Sequence, residues 1–136
     1  MSITAAIVAR YDDHVDSDAT AMRAELGTDK LWVDKAPEEV GLPYATVTHI
    51  SSSQESERKS QDARWEEAII QIDVWSEKKS KVEVVMDKFE DAYIGYRMTI
   101  SNRRHLATYF DNRLVMQDKI NLWHGVLQLR VNVEKS

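Results

Sequence analysis

Two runs of strict alternation leave this chain little choice of architecture. In Ala68 to Trp75 (AIIQIDVW), Ala68, Ile70, Ile72 and Val74 fall on one side of an extended chain, and Ile69, Gln71, Asp73 and Trp75 on the other. Near the C-terminus, Trp123, Leu127, Leu129, Val131 and Val133 share one side, and Gln128, Arg130 and Asn132 the opposite one. Successive side chains of a strand point to opposite faces, so each run marks a strand with one apolar and one mixed face. Antiparallel sheets with one face on the core and the other on solvent or a partner show this pattern.

Something must cover the apolar face, and the segment between the two runs supplies it. Val82, Val85, Met86, Phe89, Ala92 and Tyr93 recur at the 3–4 spacing of a helix packed on a sheet. Ser80 and Glu83 make an S-x-x-E capping box, and Gly95 is a natural stop, so the spacing predicts a helix from about Lys81 to Ile94. Upstream, Ile3, Ala6, Ile7 and Tyr11 form a helical stripe, and residues 18–26 form a second short helical stretch closed by Gly27. The acidic, helix-breaking turn DDHVDSD separates them.

Further strands are predicted at Leu31 to Val33 and Tyr44 to Ile50 (YATVTHI), with Pro43 biasing Leu42 toward extended geometry. After the main helix come Leu106 to Phe110, a turn at Asp111-Asn112, and a short apolar stretch at Leu114 to Met116. Residues 51–67 (SSSQESERKSQDARWEE) are too polar for a core and too long for a tight turn, so they are expected to form an extended hairpin tip. The expected fold is α+β: an antiparallel sheet of four to five strands, one main amphipathic helix packed across it, and short N-terminal helices. With 136 residues and no internal repeat or linker, residues 1–136 read as one domain. A chain of that length buries roughly 65–70% of its unfolded surface, so one ordinary core suffices.

Composition narrows function by exclusion. There is no cysteine, hence no disulfide framework and no thiolate metal site. No apolar run approaches the roughly 20 residues of a membrane span, and the first residues lack the pattern of a signal peptide, so synthesis in the cytoplasm is expected. The net charge is −5, and residues 1–40, with 9 acidic and 4 basic side chains, carry the whole imbalance. Tight, phosphate-neutralising DNA binding needs a basic field that such a chain lacks.

No motif for catalysis or cofactor binding emerges. A calcium loop starting at Asp12 needs glycine at position 17 and glutamate at 23, but Ser17 and Arg23 stand there; starting at Asp16 it meets Ala21 and Gly27 where it needs glycine and glutamate. The acidic stretch from Asp12 to Asp18, His14 included, therefore reads as a solvated turn with capping residues. His14, His49, His105 and His124 have no zinc-helix spacing, no G-x-S-x-G elbow exists, and Gly27, Gly41, Gly95 and Gly125 are too scattered to cradle phosphate. The expectation is a non-enzyme with no metal and no cofactor.

Of the tryptophans, Trp75 and Trp123 lie on strand faces and read as packing residues. Trp65 ends the polar tip, where a buried site within one chain is harder to supply, which marks it as an interface anchor. With it, Glu55, Glu57, Arg58, Lys59, Asp62 and Arg64 are the candidate contacts to another subunit or partner. The pairs Lys78-Lys79 and Arg103-Arg104 read as solvated charge.

The order Leu31-Trp32, a Pro-containing loop, Leu42-Pro43-Tyr44 opening a strand, a long polar hairpin tip, Gln71-Ile72-Asp73-Val74-Trp75, an amphipathic helix and a closing strand from Gly125 to Val133 resembles the tail-completion or tail-terminator proteins of long-tailed bacteriophages and prophages. The resemblance covers roughly residues 30–134; the acidic turn at 12–18 divides what in that pattern is more usually one N-terminal helix. It implies a structural virion protein, located at the neck end of the tail and assembled in the host cytoplasm. Such a protein forms a homo-oligomeric, usually hexameric ring that caps the tail tube and offers the surface on which the head docks. The implied partners are further copies of the chain, the tail tube protein and the head-neck connector protein, with DNA passing through without tight binding and no membrane involved. A head-side neck or connector protein and a protein-interaction module unrelated to virions are the competing readings.

Overall fold

The computed structural model describes residues 2–54, 65–100 and 103–135. Helices α1 (Ile3–Tyr11) and α2 (Ser17–Leu26) lead into strands β1 (Leu31–Val33), β2 (Tyr44–Gln54) and β3 (Trp65–Ser76); helix α3 (Lys79–Tyr93) follows, then β4 (Thr99–Ile100), β5 (Arg103–Lys119) and β6 (Leu122–Lys135). The fold is α+β, with six strands among the described residues in the order β1-β2-β3-β6-β5-β4. Four to five antiparallel strands were expected. The sixth is the two-residue β4, too short to leave a pattern, and β1 runs parallel to β2, pairing Leu31 with Ala45 and Val33 with Val47.

All three helices lie on one face. α3 crosses β3, β6 and β5, and α2 packs on α3; the sheet curls far enough that α1 touches β4 at one end and β1 and β2 at the other. Ala68, Ile70, Ile72 and Val74 of β3 and Leu127, Leu129, Val131 and Val133 of β6 are fully buried. The buried apolar side of α3 is the expected six, Val82, Val85, Met86, Phe89, Ala92 and Tyr93. On α1 the expected Ile3, Ala6, Ile7 and Tyr11 are buried as well. Each such large apolar side chain contributes on the order of 1.5–3 kcal/mol through burial. Tyr11 stacks on Phe89 and Phe89 on Tyr93, and the Tyr93 hydroxyl donates to the Ile7 carbonyl at 2.6 Å, so the rings tie α1 to α3.

The start of α3 differs from the expected capping box. The helix begins at Lys79, its N-cap Lys78 makes no side-chain cap, and Ser80 lies inside the first turn. A reciprocal box needs Ser80 in extended geometry. Here the Lys78 carbonyl already accepts from the Val82 amide at 3.2 Å, and Glu83 lies 4.0 Å from Lys79. At the other end the helix stops as expected: Ile94 is extended and Gly95 takes a φ of 84°.

Two further expectations change. The turn at Asp111-Asn112 is not a chain reversal: β5 is continuous from Arg103 to Lys119, and a register shift between Phe110 and Asn112 absorbs the extra residue as a bulge. The reversal comes at Ile120-Asn121, where Asn121 has a φ of 61°. The polar segment 51–67 is also shorter as a tip, because Ser51 to Gln54 pair with Ile69 to Glu66 and continue both strands. A polar sequence does not prevent this, since a two-stranded ladder satisfies the backbone whether or not the side chains are apolar.

Arg10 is buried at 5% exposure at the end of α1. Its Nε donates to the Ala92 carbonyl at 2.9 Å, its guanidinium pairs with Asp16 at 2.8 Å, and its Cζ lies 3.3 Å from the Tyr96 ring centroid. One side chain thus holds the acidic turn, α3 and the segment after it together. Arg10→Met leaves the Ala92 carbonyl unpaired and Asp16 without its counter-charge, so a loss of about 3 kcal/mol is expected in urea unfolding.

His105, buried on β5, joins β5 to the segment before β4. Its Nδ1 accepts from the Met98 amide at 2.7 Å, which leaves the proton on Nε2, facing Thr108 Oγ1 at 2.8 Å. Burial holds its pKa below the ordinary 6.5; a backbone hydrogen bond at Ala107 opposes this and the Arg97 charge adds to it. The unfolded chain therefore binds this proton at a higher pH than the folded chain does. The stability contributed is full above pH 6.5 and falls as pH drops from there toward the folded value. His105→Gln is expected to flatten this component, which amounts to at most about 1.4 kcal/mol per pH unit, when unfolding free energies are measured from pH 7 to 5.

Candidate assembly interface

Both edges of the sheet are open over much of their length. β4 pairs with β5 only at Arg103 and Arg104, so from His105 to Lys119 that edge has no strand partner among the described residues. At the other end β1 covers β2 only from Ala45 to Val47, leaving Thr48 to Gln54 without one among the described residues. An unpaired edge is a template for another strand. These two edges are also irregular: β5 carries register shifts at 105/107, 110/112 and 117/119, and β2 one at 49/51. Bulges block pairing with arbitrary flat strands, so only an edge of matching shape can add.

The side chains along β5 agree with such a role. Paired with Arg130, Val126 and His124 of β6, Tyr109, Leu114 and Met116 lie on the face away from the helices; Tyr109 is 49% and Leu114 53% exposed. Phe110 is exposed on the helix side, and Ile120 at the turn is 85% exposed. Arg113, in the middle, bonds Asp87 at 2.7 Å and also Glu90, which pins this half of β5 to α3. The edge is thus held in place while its apolar groups stay uncovered.

Across β1, β2, β3 and β6 the helix-free face is occupied by the protein's own side chains. Trp32, Tyr44, Trp75 and His124 form a ladder with ring centroids 6.4, 4.9 and 4.6 Å apart. Beside it Gln128 donates to Gln71 at 2.9 Å, Gln71 to Asp73 at 3.0 Å, and His124 lies 3.2 Å from Asp73. Trp75 is the sheet-face packing residue it was expected to be, and Trp123 packs partly buried against the core. His49 is exposed and bonded to Ser51 and Ser52.

Of the expected interface residues, Glu55, Glu57, Arg58, Lys59, Asp62 and Arg64 lie outside the described residues. Trp65 is described, and at 54% exposure it stands at the start of β3 as an uncovered aromatic. Beside it, a cleft of about 540 Å³ opens over β3, β6 and β5. Arg103 is not free charge but pairs with Glu66 at 2.5 Å at the margin of that cleft. Sequence reasoning missed the β5 edge. The signal was present in the closely spaced Tyr109, Phe110, Leu114 and Met116, but the assumed turn at Asp111-Asn112 broke it in two.

Comparison with solved structures finds a chain of the virion of a native gene transfer agent particle. It has a TM-score of 0.77 and 17% sequence identity, and the match covers 98% of this chain and 95% of that one, so the two share the fold. No curated protein matches. The family model described as tail completion protein gp17 matches residues 15–134, nearly the whole chain, including both open edges. The chain belongs to the tail completion protein gp17 family of phages.

Proposed function

We propose that copies of this chain join edge to edge into a closed ring, six in number, that caps the phage tail tube, ends its polymerisation and presents the surface on which the head docks. The observation that carries this reading is the pair of open, bulged edges at opposite ends of one sheet, β5 from His105 and β2 from Thr48. Two different edges make a head-to-tail contact, and a head-to-tail contact closes into a ring when its rotation divides the circle. Family membership supports a place at the tail. The virion particle that contains the matching chain supports a place in the finished particle.

In this mechanism no bond is made or broken. One face of the ring copies the end of a tube layer and stops further addition, and the other receives the neck connector. The acidic excess of residues 1–40 suits a ring through which DNA slides without being held. Tube polymerisation tests the reading: with this protein present, tubes are expected to stop at a set length with a ring at one end. Tubes that grow as long as those assembled without it would rule the capping role out.

A further inference from the structure

The cleft beside Trp65 has walls and a floor of different character. Trp65 of β3 and Tyr109 of β5 stand on either side, and Arg130 and Asn132 of β6 lie between, with Ala107 and Glu67 also in the lining. Both aromatic walls are about half exposed. In the floor, Asn132 Oδ1 is buried and accepts no hydrogen bond among the described residues. Arg130 Nε is also buried and donates none among the described residues; Asp111 Oδ1, 3.5 Å away, is an ion-pair neighbour without hydrogen-bond geometry.

A buried donor or acceptor left unpaired is costly, so native structures rarely leave such groups without a partner. Here one donor and one acceptor belong to residues on the same face of the same strand, two positions apart, both lining the cleft; the two atoms are themselves covered, so the Arg130 and Asn132 side chains must turn toward a ligand to bond it. A main-chain peptide offers the complementary pair, a carbonyl for Arg130 and an N–H for Asn132. The aromatic walls fit the side chains that flank such a peptide, and Trp and Tyr are the residue types that dominate binding energy at protein contacts.

We infer that this cleft receives an extended segment of a second copy of the chain, its backbone bonded to Arg130 Nε and Asn132 Oδ1 between Trp65 and Tyr109. The inference rests on the ring reading, and the position of Tyr109 argues for a second copy as the occupant. Tyr109 is at once a wall of the cleft and part of the open β5 edge. A strand added to that edge lies ~4.8 Å beyond β5, which brings the neighbour's chain to the rim.

The chain has no cysteine, which makes a single-site label straightforward. Glu67→Cys, carrying a benzophenone maleimide, is mixed with isotopically heavy and light protein, irradiated, and analysed by mass spectrometry. Native mass spectra of the same samples report the oligomer. Adducts joining a heavy to a light chain are expected, and Asn132→Leu in the labelled chain is expected to lower their yield about tenfold. Adducts confined to one chain, in samples whose native spectra show a closed oligomer, would overturn the cleft assignment and leave the ring standing. An unchanged yield with Asn132→Leu would remove the floor's role in it. A chain that stays monomeric both alone and with tail tubes would remove the ring reading and this inference with it.

Discussion

Replacing Gly125 with valine is expected to cost about 3 kcal/mol or more, a large part of the stability of a chain of this size. Gly125 lies on β6, between Val74 of β3 and Val115 of β5, beneath α3. A Cβ there would stand 2.4 Å from Val82 Cγ1 and 2.8 Å from Met86 Sδ. Met86 can swing its sulfur aside, but Val82 is a branched side chain fixed on the first turns of α3, so relief requires the helix to lift. Alanine already adds the offending atom, so Gly125→Ala should lose nearly as much, and the additional methyls of valine worsen it. Urea unfolding of Gly125→Ala, Val82→Ala and the double variant provides the check. If the close approach of α3 is the cause, the double variant recovers part of the loss. Simple addition of the two losses would mean that glycine is needed for another reason.

The second large effect concerns assembly and leaves the fold alone. Leu114→Lys and Met116→Lys place a charge on the helix-free face of the open β5 edge, at positions 53% and 37% exposed in the isolated chain. Monomer stability should stay within about 0.5 kcal/mol of the parent. Desolvating an unpaired ammonium in a closed interface costs several kcal/mol, so self-association is expected to weaken by at least about a hundredfold. Val84→Lys, on the exposed side of α3, is the matched control and should leave association unchanged. Sedimentation velocity separates the cases. Equal association by all three variants would take β5 out of the contact.

The parts of this fold that could be read from sequence are those whose signal is local. The apolar rows of β3 and β6 and the buried side of α3 follow from periodicities of two and 3.6, and each lies where those periods place it. What stayed hidden depends on the partner. Asp111-Asn112 carries turn chemistry, yet β6 runs straight past it, so pairing on both sides overrides the local preference and a bulge takes up the residue. Nothing within Leu31 to Val33 distinguishes parallel from antiparallel pairing, since that depends on how the chain returns at Tyr44. The capping box failed because Lys78 and Lys79 start the helix before Ser80. Arg10 was legible in hindsight: it stands seven residues after Ile3 on the apolar stripe, where a charge has to be buried with partners.

The candidate site was legible only at Trp65, whose large apolar ring ends a run of polar residues. The cleft floor needs Arg130 and Asn132 next to Ala107 and Tyr109, more than twenty residues earlier in the chain, and only the β5–β6 register shows that they meet. The open edges are likewise a property of strand order. A sequence shows that a strand exists, but whether it has one neighbour or two depends on the whole sheet.

The proposed function requires copies of this chain to meet through β5 and β2 and close a ring. Native mass spectrometry of the protein, alone and bound to the ends of assembled tail tubes, weighs that species directly. A single discrete oligomer of six copies, lost in the Leu114→Lys variant, is the predicted result. A monomer under both conditions, or an open series of sizes with no closed species, would contradict it.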